Sequence, residues 1–286
     1  MGLIEEAGQR LQQLKNAGVE MPAPTLVPAH ALAVARPAQE RSAHRVERID
    51  LDALAAAGFI TPSTPPSRLA NEFRIVKRAL LANAAPRREP PIPNGNVIMV
   101  TSSVPGEGKS FAALNLAMSI AMELDHTVLL VDADVARPAL PALMRVPEGP
   151  GLLDALLRPE LDPGHFVAAT NVDKLEFMPV GTRHPRASEM LASDAMSALV
   201  QRLGSRRDRI VVFDSPPLLA TTEAAVLARH MGQVLFVVAA GSTPVHDVER
   251  ALPTIAACPN TMLLLNRVSR FGEPMTAYGY DYGYGA

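Results

Sequence analysis

Short, unbroken apolar runs recur along the last two thirds of the chain, with helix-like segments between them. The runs are VIMVT at 97–101, TVLLVD at 127–132, RIVVFD at 209–214, QVLFVVAA at 233–240 and TMLLLN at 261–266. Runs of Val, Leu, Ile and Phe without polar alternation are typical of strands buried on both faces of a parallel sheet. The pattern therefore predicts an α/β fold, with a doubly wound and mostly parallel sheet flanked by helices.

Two segments show the apolar spacing of an amphipathic helix. In residues 109–124 the inner side is expected to carry Phe111, Leu114, Met118 and Met122. In residues 67–84 one face is expected to carry Leu69, Phe73, Val76 and Leu80. The remaining surface of that second helix carries Arg68, Arg74, Lys77 and Arg78. This helix is expected to pack on the domain or on a neighbouring subunit, or else to present a solvated basic face.

Proline marks the N-terminal third as a separate region. The chain has 26 prolines, and most of the excess precedes residue 96. We expect a short amphipathic helix at 3–17 and a flexible Pro/Ala linker within 1–48, then a helical extension at 49–95 that is a candidate for oligomerisation. The first helix is either a docking element or a marginal helix without a role. A core domain at 96–269 and a tail at 270–286 complete the predicted organisation.

Residues 97–111, VIMVTSSVPGEGKSF, have the form of a phosphate-binding loop between a strand and a helix. Glycines let backbone N–H groups turn toward phosphate oxygens, and the helix presents its positive N-terminal end. Lys109 can reach the β- and γ-phosphates, and the Ser110 hydroxyl can ligate Mg²⁺. The predicted nucleotide contacts in this loop are Ser103, Pro105, Gly106, Glu107, Gly108, Lys109, Ser110 and Phe111.

The strict motif GxxxxGK[ST] would require glycine at position 103, where this chain has Ser103. Serine is small, and Pro105-Gly106 supplies a tight turn, so the departure is compatible with a phosphate loop. The alternative is a Gly-rich connection in which the Lys-Ser pair is incidental. The strand before the loop and the helix after it favour phosphate binding.

Three carboxylates follow apolar strands, where open α/β sheets bind their ligands. Asp214 closes the run IVVF and fits the carboxylate that holds Mg²⁺ near a phosphate loop; the alternative is an Asp that caps the following turn. Asp132 and Asp134 stand two residues apart after another strand. Such a pair can hold metal or water and can accept a proton from an attacking hydroxyl, so both are candidate catalytic residues. Ser110, Asp132 and Asp214 are the predicted metal ligands.

Composition narrows the class of protein. The chain has 286 residues, of which 48% are hydrophobic, and this is enough for a substantial core. A net charge of −2 lacks the basic footprint of a nucleic-acid-binding protein. Cys258 is the only cysteine, which favours a reducing compartment and a buried, unreactive thiol. No apolar stretch approaches about 18 residues, so we expect a soluble protein whose membrane role, if any, comes through a partner.

All four tyrosines of the chain lie in its last nine residues, in the sequence YGYDYGY at 278–284. Glycines between them suit a flexible tail whose hydroxyls can enter an active site. Phosphorylation of Tyr278, Tyr280, Tyr282 and Tyr284 would add about −1.5 to −2 charges each and drive subunits or partners apart. The alternative is a sticky aromatic low-complexity tail.

Taken together, these motifs resemble bacterial tyrosine kinases, the BY-kinases that govern polysaccharide synthesis and export. The matching stretches are SSVPGEGKS as Walker A, LLVDADVARP as Walker A′, IVVFDSPPLL as Walker B, and the tyrosine-rich end YGYDYGYG. GLLDALL at 151–157 and LEFMPVGTRHPRASEML at 175–191 match as well. The likeness runs from about residue 49 to the end. Within the family, the chain is similar to the stand-alone cytoplasmic autokinases of exopolysaccharide and exosortase systems.

The resemblance implies a P-loop kinase domain at 96–269 that uses ATP and Mg²⁺ to phosphorylate its own tyrosine tail. It also implies that Asn266 and Arg267 lie where family members hold the adenine base; for Asn266 the alternative is a turn-forming role. The implied partners are a membrane-embedded activator of the polysaccharide co-polymerase type, a cognate tyrosine phosphatase and further copies of the chain, with no nucleic acid. The implied location is the cytoplasm, at the inner membrane through the activator.

Three departures from the family pattern stand out. The Walker A′ arginine is displaced by one position, with Ala136 at its usual place and Arg137 next to it. The E-x-x-R-x-x-R pattern linked to ring assembly reads Asn71-x-x-Arg74-x-x-Lys77, with Glu72 displaced by one. His230-Met231-Gly232 replaces the Asp-Gly that family members commonly have before the QVLFVV strand.

Two rival functions remain at this point. A MinD/ParA-like ATPase would act as a nucleotide-switched positioning protein and transfer phosphate only to water. Such proteins carry a second, signature lysine early in the loop, where this chain has Val104, and they have no need of four terminal tyrosines. A pseudoenzyme that keeps the fold for binding is disfavoured by the intact Lys109, Ser110, Asp132 and Asp214.

Overall fold

The computed structural model describes residues 45–85 and 88–268. Its strands are β1 Val46–Glu47, β2 Val97–Ser102, β3 Thr127–Asp132, β4 Ala168–Thr170, β5 Leu175–Met178, β6 Arg209–Asp214, β7 Gln233–Ala239 and β8 Thr261–Asn266. Its α-helices are α1 Leu51–Ala56, α2 Arg68–Ala84, α3 Lys109–Ala121, α4 Leu140–Met144, α5 Leu152–Leu157, α6 Ala187–Leu191, α7 Asp194–Leu203, α8 Glu223–Ala228 and α9 Val245–Ala251. The predicted helix at 3–17, most of the linker and all four tyrosines lie outside the described residues.

The eight strands form one sheet in the order β1-β4-β5-β3-β6-β2-β7-β8. Every neighbouring pair is parallel except β4 with β5. Buried side chains on the two faces of the sheet form two separate core clusters, each completed by helices. The predicted fold class is confirmed, and so are the five predicted strands, whose ends agree within one residue.

Strands β1, β4 and β5 were not predicted, and they lie together at one side of the sheet. Each has only two to four residues, too few to show a pattern along the sequence. β1 is fixed by long-range contacts instead: the Asn171 side chain accepts a hydrogen bond from the Ile49 N–H and donates one to the Ile49 carbonyl. This strand lies in the stretch that the proline content assigned to a linker.

Helix α3 follows the phosphate loop, and its residues 112–121 are all buried against the sheet and α2. The prediction that Met122 lies on the inner side is wrong. The helix ends at Ala121, so Met122 falls in the following turn and is 46% exposed. Spacing alone could not show this, because Met122 continues the apolar period of the helix.

Helix α2 packs on α3, and a lysine pins the two together. The prediction that Lys77 lies on the basic outer surface is wrong, because its side chain is buried. Lys77 Nζ donates to the Ser119 carbonyl at 2.6 Å and lies 2.6 Å from Glu123 Oε1. Asn71 and Arg74, the other members of its register, are exposed. Lys77 therefore stabilises the packing of α2 on α3 within its own chain.

The parallel strands place their carboxyl ends along one edge of the sheet, where the candidate residues lie. β2 is followed by the phosphate loop, and the last residues of β3 and β6, Asp132 and Asp214, are direct cross-strand partners. Asn266 closes β8.

At the opposite side of the core, Met231 and Cys258 are both buried, as predicted for the thiol. None of the helices among the described residues is long and apolar enough to cross a membrane.

Candidate nucleotide and phosphoryl-transfer site

The phosphate loop adopts its shape through two glycines with positive φ. Gly106 has φ 88° and Gly108 has φ 100°, a region that favours glycine over residues with a Cβ. Gly108 is also the N-cap of α3, and a Cβ placed there would lie 2.1 Å from Asn266 Nδ2. Glycine is thus required at 108 both by backbone conformation and by space.

Ser103 occupies the position where the strict motif has glycine. It is fully buried and its φ is not positive, so the backbone at this position does not need glycine. Its carbonyl accepts a hydrogen bond from Leu219 N at 3.0 Å, which joins the start of the loop to the segment after β6. Its hydroxyl has no hydrogen-bond partner among the described residues. The departure from the motif is therefore compatible with the loop's shape.

Lys109 and Asp134 form an ion pair in the centre of the site. Lys109 Nζ lies 2.8 Å from Asp134 Oδ2, and both side chains are largely buried. Burial alone would lower the pKa of Lys109, but the carboxylates of Asp214, Asp134 and Asp132 outweigh it, so the pKa is raised. The lysine is consequently a fixed cation beside the phosphate loop, available to anionic phosphates.

Asp132 is fully buried, and backbone groups orient its side chain. Oδ1 accepts from Asp134 N at 3.2 Å and Oδ2 accepts from Leu140 N at 3.1 Å. Burial, with the nearby negative charge of Asp214, raises the pKa of Asp132 to about 8. Each oxygen still has a second lone pair, so a metal, a water or a hydroxyl proton can still approach.

Asp214 has no such support. Its side chain is fully buried, and neither carboxylate oxygen has a hydrogen-bond partner in the described part of the chain. Burial raises the pKa of Asp214 to about 6, and the charge of Lys109 and the nearby Ser110 hydroxyl limit this rise. Neither group makes a hydrogen bond of normal geometry to the carboxylate. A buried carboxylate with unsatisfied oxygens is costly unless a cation or donor completes it.

These features fit a Mg²⁺ ion held by few protein ligands. Mg²⁺ in phosphate-loop proteins is bound by one or two protein oxygens, with phosphates and waters completing the octahedron. Asp214 supplies unsatisfied oxygens, Ser110 supplies a hydroxyl beside it, and Asp132 is its cross-strand neighbour. No group of three or more His, Cys, Asp or Glu side chains arranged to hold a metal by itself occurs within residues 45–85 and 88–268.

The displaced Walker A′ arginine is anchored through its backbone. Arg137 N donates to Asp134 Oδ1 at 3.0 Å, and its side chain is exposed, like that of Ala136. The one-residue shift thus leaves the loop attached to the carboxylate that pairs with Lys109. No described contact assigns the guanidinium a role.

Asn266 lies against the phosphate loop, with both ends of its side chain engaged. Nδ2 donates to the Glu107 carbonyl at 2.9 Å, and Oδ1 accepts from Arg267 N at 2.9 Å. Arg267 is exposed with φ 58°. Phe111 packs its ring 4.9 Å from that of Phe59. The nucleotide-binding roles of these three residues stay predictions, and for Asn266 the structure offers a second role.

One residue of this region was missed from the sequence. Thr243 follows β7 and donates its hydroxyl to Glu107 Oε1 in a short hydrogen bond. The signal was available, since Ser242-Thr243 stands just after an apolar strand, as Asp132 and Asp214 do. Glycine and proline neighbours make such a segment read as an ordinary turn.

Comparisons with known proteins identify relatives of this fold. A family model described as ParA, NUBPL iron-transfer P-loop NTPase, matches residues 94–258, more than half of the chain. The tyrosine-protein kinase YwqD of Bacillus subtilis is 32% identical over 187 residues, covering 64% of this chain and 76% of YwqD. The kinase domain of Escherichia coli tyrosine kinase ETK superposes with a TM-score of 0.63 at 27% identity, covering 74% of this chain and 80% of that domain.

A longer relative extends the comparison. The succinoglycan biosynthesis transport protein ExoP of Rhizobium meliloti is 31% identical over 242 residues, covering 79% of this chain but only 29% of ExoP. The chain thus spans three quarters of YwqD and less than a third of ExoP. Since a ParA-type P-loop model matches more than half of the chain and the chain covers three quarters of a tyrosine-protein kinase at 32% identity, the chain belongs to the bacterial tyrosine-kinase family.

Proposed function

We propose that this chain is an ATP- and Mg²⁺-dependent tyrosine autokinase that phosphorylates Tyr278, Tyr280, Tyr282 and Tyr284 of its own tail. The observation that carries the proposal is the ion pair of Lys109 with Asp134, set between the phosphate loop and the buried Asp132 and Asp214. This arrangement brings together a cation that can bind phosphates and carboxylates that can bind a metal ion and a hydroxyl group. The tyrosine cluster supplies acceptors that a simple ATPase would not need.

Each residue then has a defined task. The loop backbone and Lys109 hold the β- and γ-phosphates, and Ser110 and Asp214 hold Mg²⁺, with Asp132 beside them. When bound, Mg²⁺ neutralises charge on the transferred phosphoryl group. Asp132 and Asp134 complete the metal site, or orient the tyrosine hydroxyl and take its proton; with Mg²⁺ bound, Asp132 would stay ionised for that task. Since tyrosine has a pKa near 10, a positioned carboxylate is useful at neutral pH.

We also propose that phosphate passes between copies of the chain. Tyr278 lies twelve residues beyond Asn266, a span of at most about 40 Å, so length permits either the chain's own site or a neighbour's. A tail that starts at the end of β8 would have to turn straight back over the same edge of the sheet to reach its own site. Phosphates on one interface would then repel one another and loosen the assembly.

The names of the relatives support a proposal for the biological setting. ExoP is named for succinoglycan biosynthesis and transport, so we propose that this chain regulates exopolysaccharide synthesis or export. A membrane-embedded activator of the co-polymerase type and a cognate phosphatase complete the proposed cycle, which runs in the cytoplasm at the inner membrane. The predicted domain boundaries at 48/49, 95/96 and 269/270 belong to the same proposal.

A MinD/ParA-like ATPase remains the rival. Val104, at the position of the signature lysine, donates its backbone N–H to Glu107 Oε2 at 2.7 Å and has no cation to offer a partner's phosphate. This favours the kinase. The two functions differ in where the γ-phosphate goes.

Mixing two defective proteins tests the proposal. Lys109→Met protein with intact tyrosines is combined with a copy whose four tail tyrosines are Phe, and phosphotyrosine is mapped by mass spectrometry after ATP and Mg²⁺ are added. We expect phosphate on the Lys109→Met chain, at a rate that rises with the concentration of the active copy. Lys109→Met protein that also lacks the tyrosines is the control. An unmodified acceptor, with wild-type protein labelling itself at a rate independent of dilution, would show transfer within one molecule.

A further inference from the structure

Glu107 is a buried acidic residue inside the phosphate loop, only 3% exposed. Both of its carboxylate oxygens accept hydrogen bonds within the chain. Oε2 accepts from Val104 N at 2.7 Å, which closes the loop on itself, and Oε1 accepts from the Thr243 hydroxyl. Thr243 is held in turn, because its Oγ1 accepts from Ala239 N at 3.0 Å. The carboxylate therefore connects the phosphate loop to the end of β7.

A second connection reaches the same residue from β8. The Glu107 carbonyl accepts from Asn266 Nδ2 at 2.9 Å, and that nitrogen lies where a side chain at Gly108 would be. Asn266 is oriented by its own Oδ1, which accepts from Arg267 N. Both the side chain and the main chain of Glu107 are thus tied to neighbouring strand ends.

We infer that Glu107, Thr243 and Asn266 form a brace that positions the phosphate loop for nucleotide binding. A loop with two positive-φ glycines has more conformations to lose than other segments. Holding it in one shape before the ligand arrives removes that cost from binding. The brace residues act through the loop backbone, so they are positioning residues rather than catalytic ones.

The brace gives Asn266 a role other than base recognition, and the two roles predict different ligand dependence. A base-reading amide affects ATP but not a ligand without a base. A brace affects every ligand that uses the loop, including inorganic tripolyphosphate. The described side-chain contacts of Thr243 are with Glu107 and Ala239, and none of its predicted roles is base recognition, so it offers a test that base recognition does not confuse.

Binding measurements separate these roles. Affinities for Mg²⁺-ATP, Mg²⁺-GTP and Mg²⁺-tripolyphosphate are measured by calorimetry on the full chain. We expect Thr243→Val and Asn266→Ala each to weaken ATP and tripolyphosphate by a similar factor, on the order of tenfold, with the ATP-to-GTP ratio unchanged. Thr243→Ser, which keeps the hydroxyl, should restore binding. Ser242→Ala, an exposed neighbour in the same turn, is the matched control.

The inference is overturned if Thr243→Val and Asn266→Ala bind tripolyphosphate as wild type does. Loss of ATP binding alone in Asn266→Ala would assign that residue to the base. The thermal midpoint without ligand shows whether each variant is folded, and Asn266→Ala keeps the test available if Thr243→Val does not fold. The inference rests on the proposed use of this loop for nucleotide, but binding does not require transfer to tyrosine, so its failure and that of the kinase proposal are distinguishable.

Discussion

Lys109→Met is expected to reduce tail phosphorylation by about 100- to 1000-fold or to below detection. The substitution removes the cation that lies 2.8 Å from Asp134 and that would hold the phosphates, but it keeps an apolar stem of similar length. It also leaves Asp134 and Asp214 without their counter-charge, so the folded protein should lose some stability. Phosphotyrosine by mass spectrometry, together with the thermal midpoint, measures both effects.

Lys174→Met is the matched control for this prediction. Lys174 also has a hydrogen-bonded ammonium group, donating to the Glu123 and Leu124 carbonyls, but it lies just before β5, at the end of the sheet away from the site. Its loss should affect stability and leave tyrosine phosphorylation intact. Robust tail phosphorylation by folded Lys109→Met protein would remove the lysine from the catalytic assignment.

Asp214→Asn is expected to lower activity by about 100-fold or more without lowering the stability of the nucleotide-free protein. Activity falls because an amide is a much weaker Mg²⁺ ligand than a carboxylate. A bound metal stabilises the transition state by several kcal/mol, and each loss of about 1.4 kcal/mol slows the reaction tenfold. Stability is kept because the wild-type carboxylate is fully buried with both oxygens unsatisfied, so the substitution removes a desolvated charge.

The two readouts of Asp214→Asn distinguish a metal ligand from a structural residue. Activity is measured over a range of Mg²⁺ concentrations, and stability by urea unfolding without nucleotide. A partial return of activity at high Mg²⁺ would support the ligand role. If the variant unfolds at much lower urea and its activity loss follows the fraction unfolded, Asp214 serves the fold and the turn after β6.

The central strands and the site were predictable for the same physical reason. Strands β2, β3, β6, β7 and β8 lie side by side in a parallel sheet, so their sequences are continuous apolar runs, and the polar residues that follow them must gather at one edge. The sequence alone therefore predicts that Asp132 and Asp214 lie near the phosphate loop. Their cross-strand pairing agrees with that expectation.

Other features depend on contacts that the sequence does not display. The charge of Lys77 predicts a surface position. Its burial is explained by its contacts with the Ser119 carbonyl in α3 and with Glu123 just after that helix. The brace joins Glu107 to Thr243 and Asn266, which lie 136 and 159 positions further along the chain. Its hydrogen bonds use hydroxyl and amide groups that are common in turns. β1 and β4 are too short to show a pattern and are defined by the partners they meet.

The fate of the γ-phosphate tests the central claim most directly. Wild-type protein is mixed with a limiting amount of γ-³²P-ATP and Mg²⁺, and label is followed for one turnover on protein tyrosine and in inorganic phosphate. A copy with Phe at all four tail positions is run in parallel. The autokinase account predicts label on the peptide that contains Tyr278 to Tyr284, and none on protein in the Phe copy. Label that appears only as inorganic phosphate, at the same rate in both proteins, would contradict it and identify the chain as an ATPase.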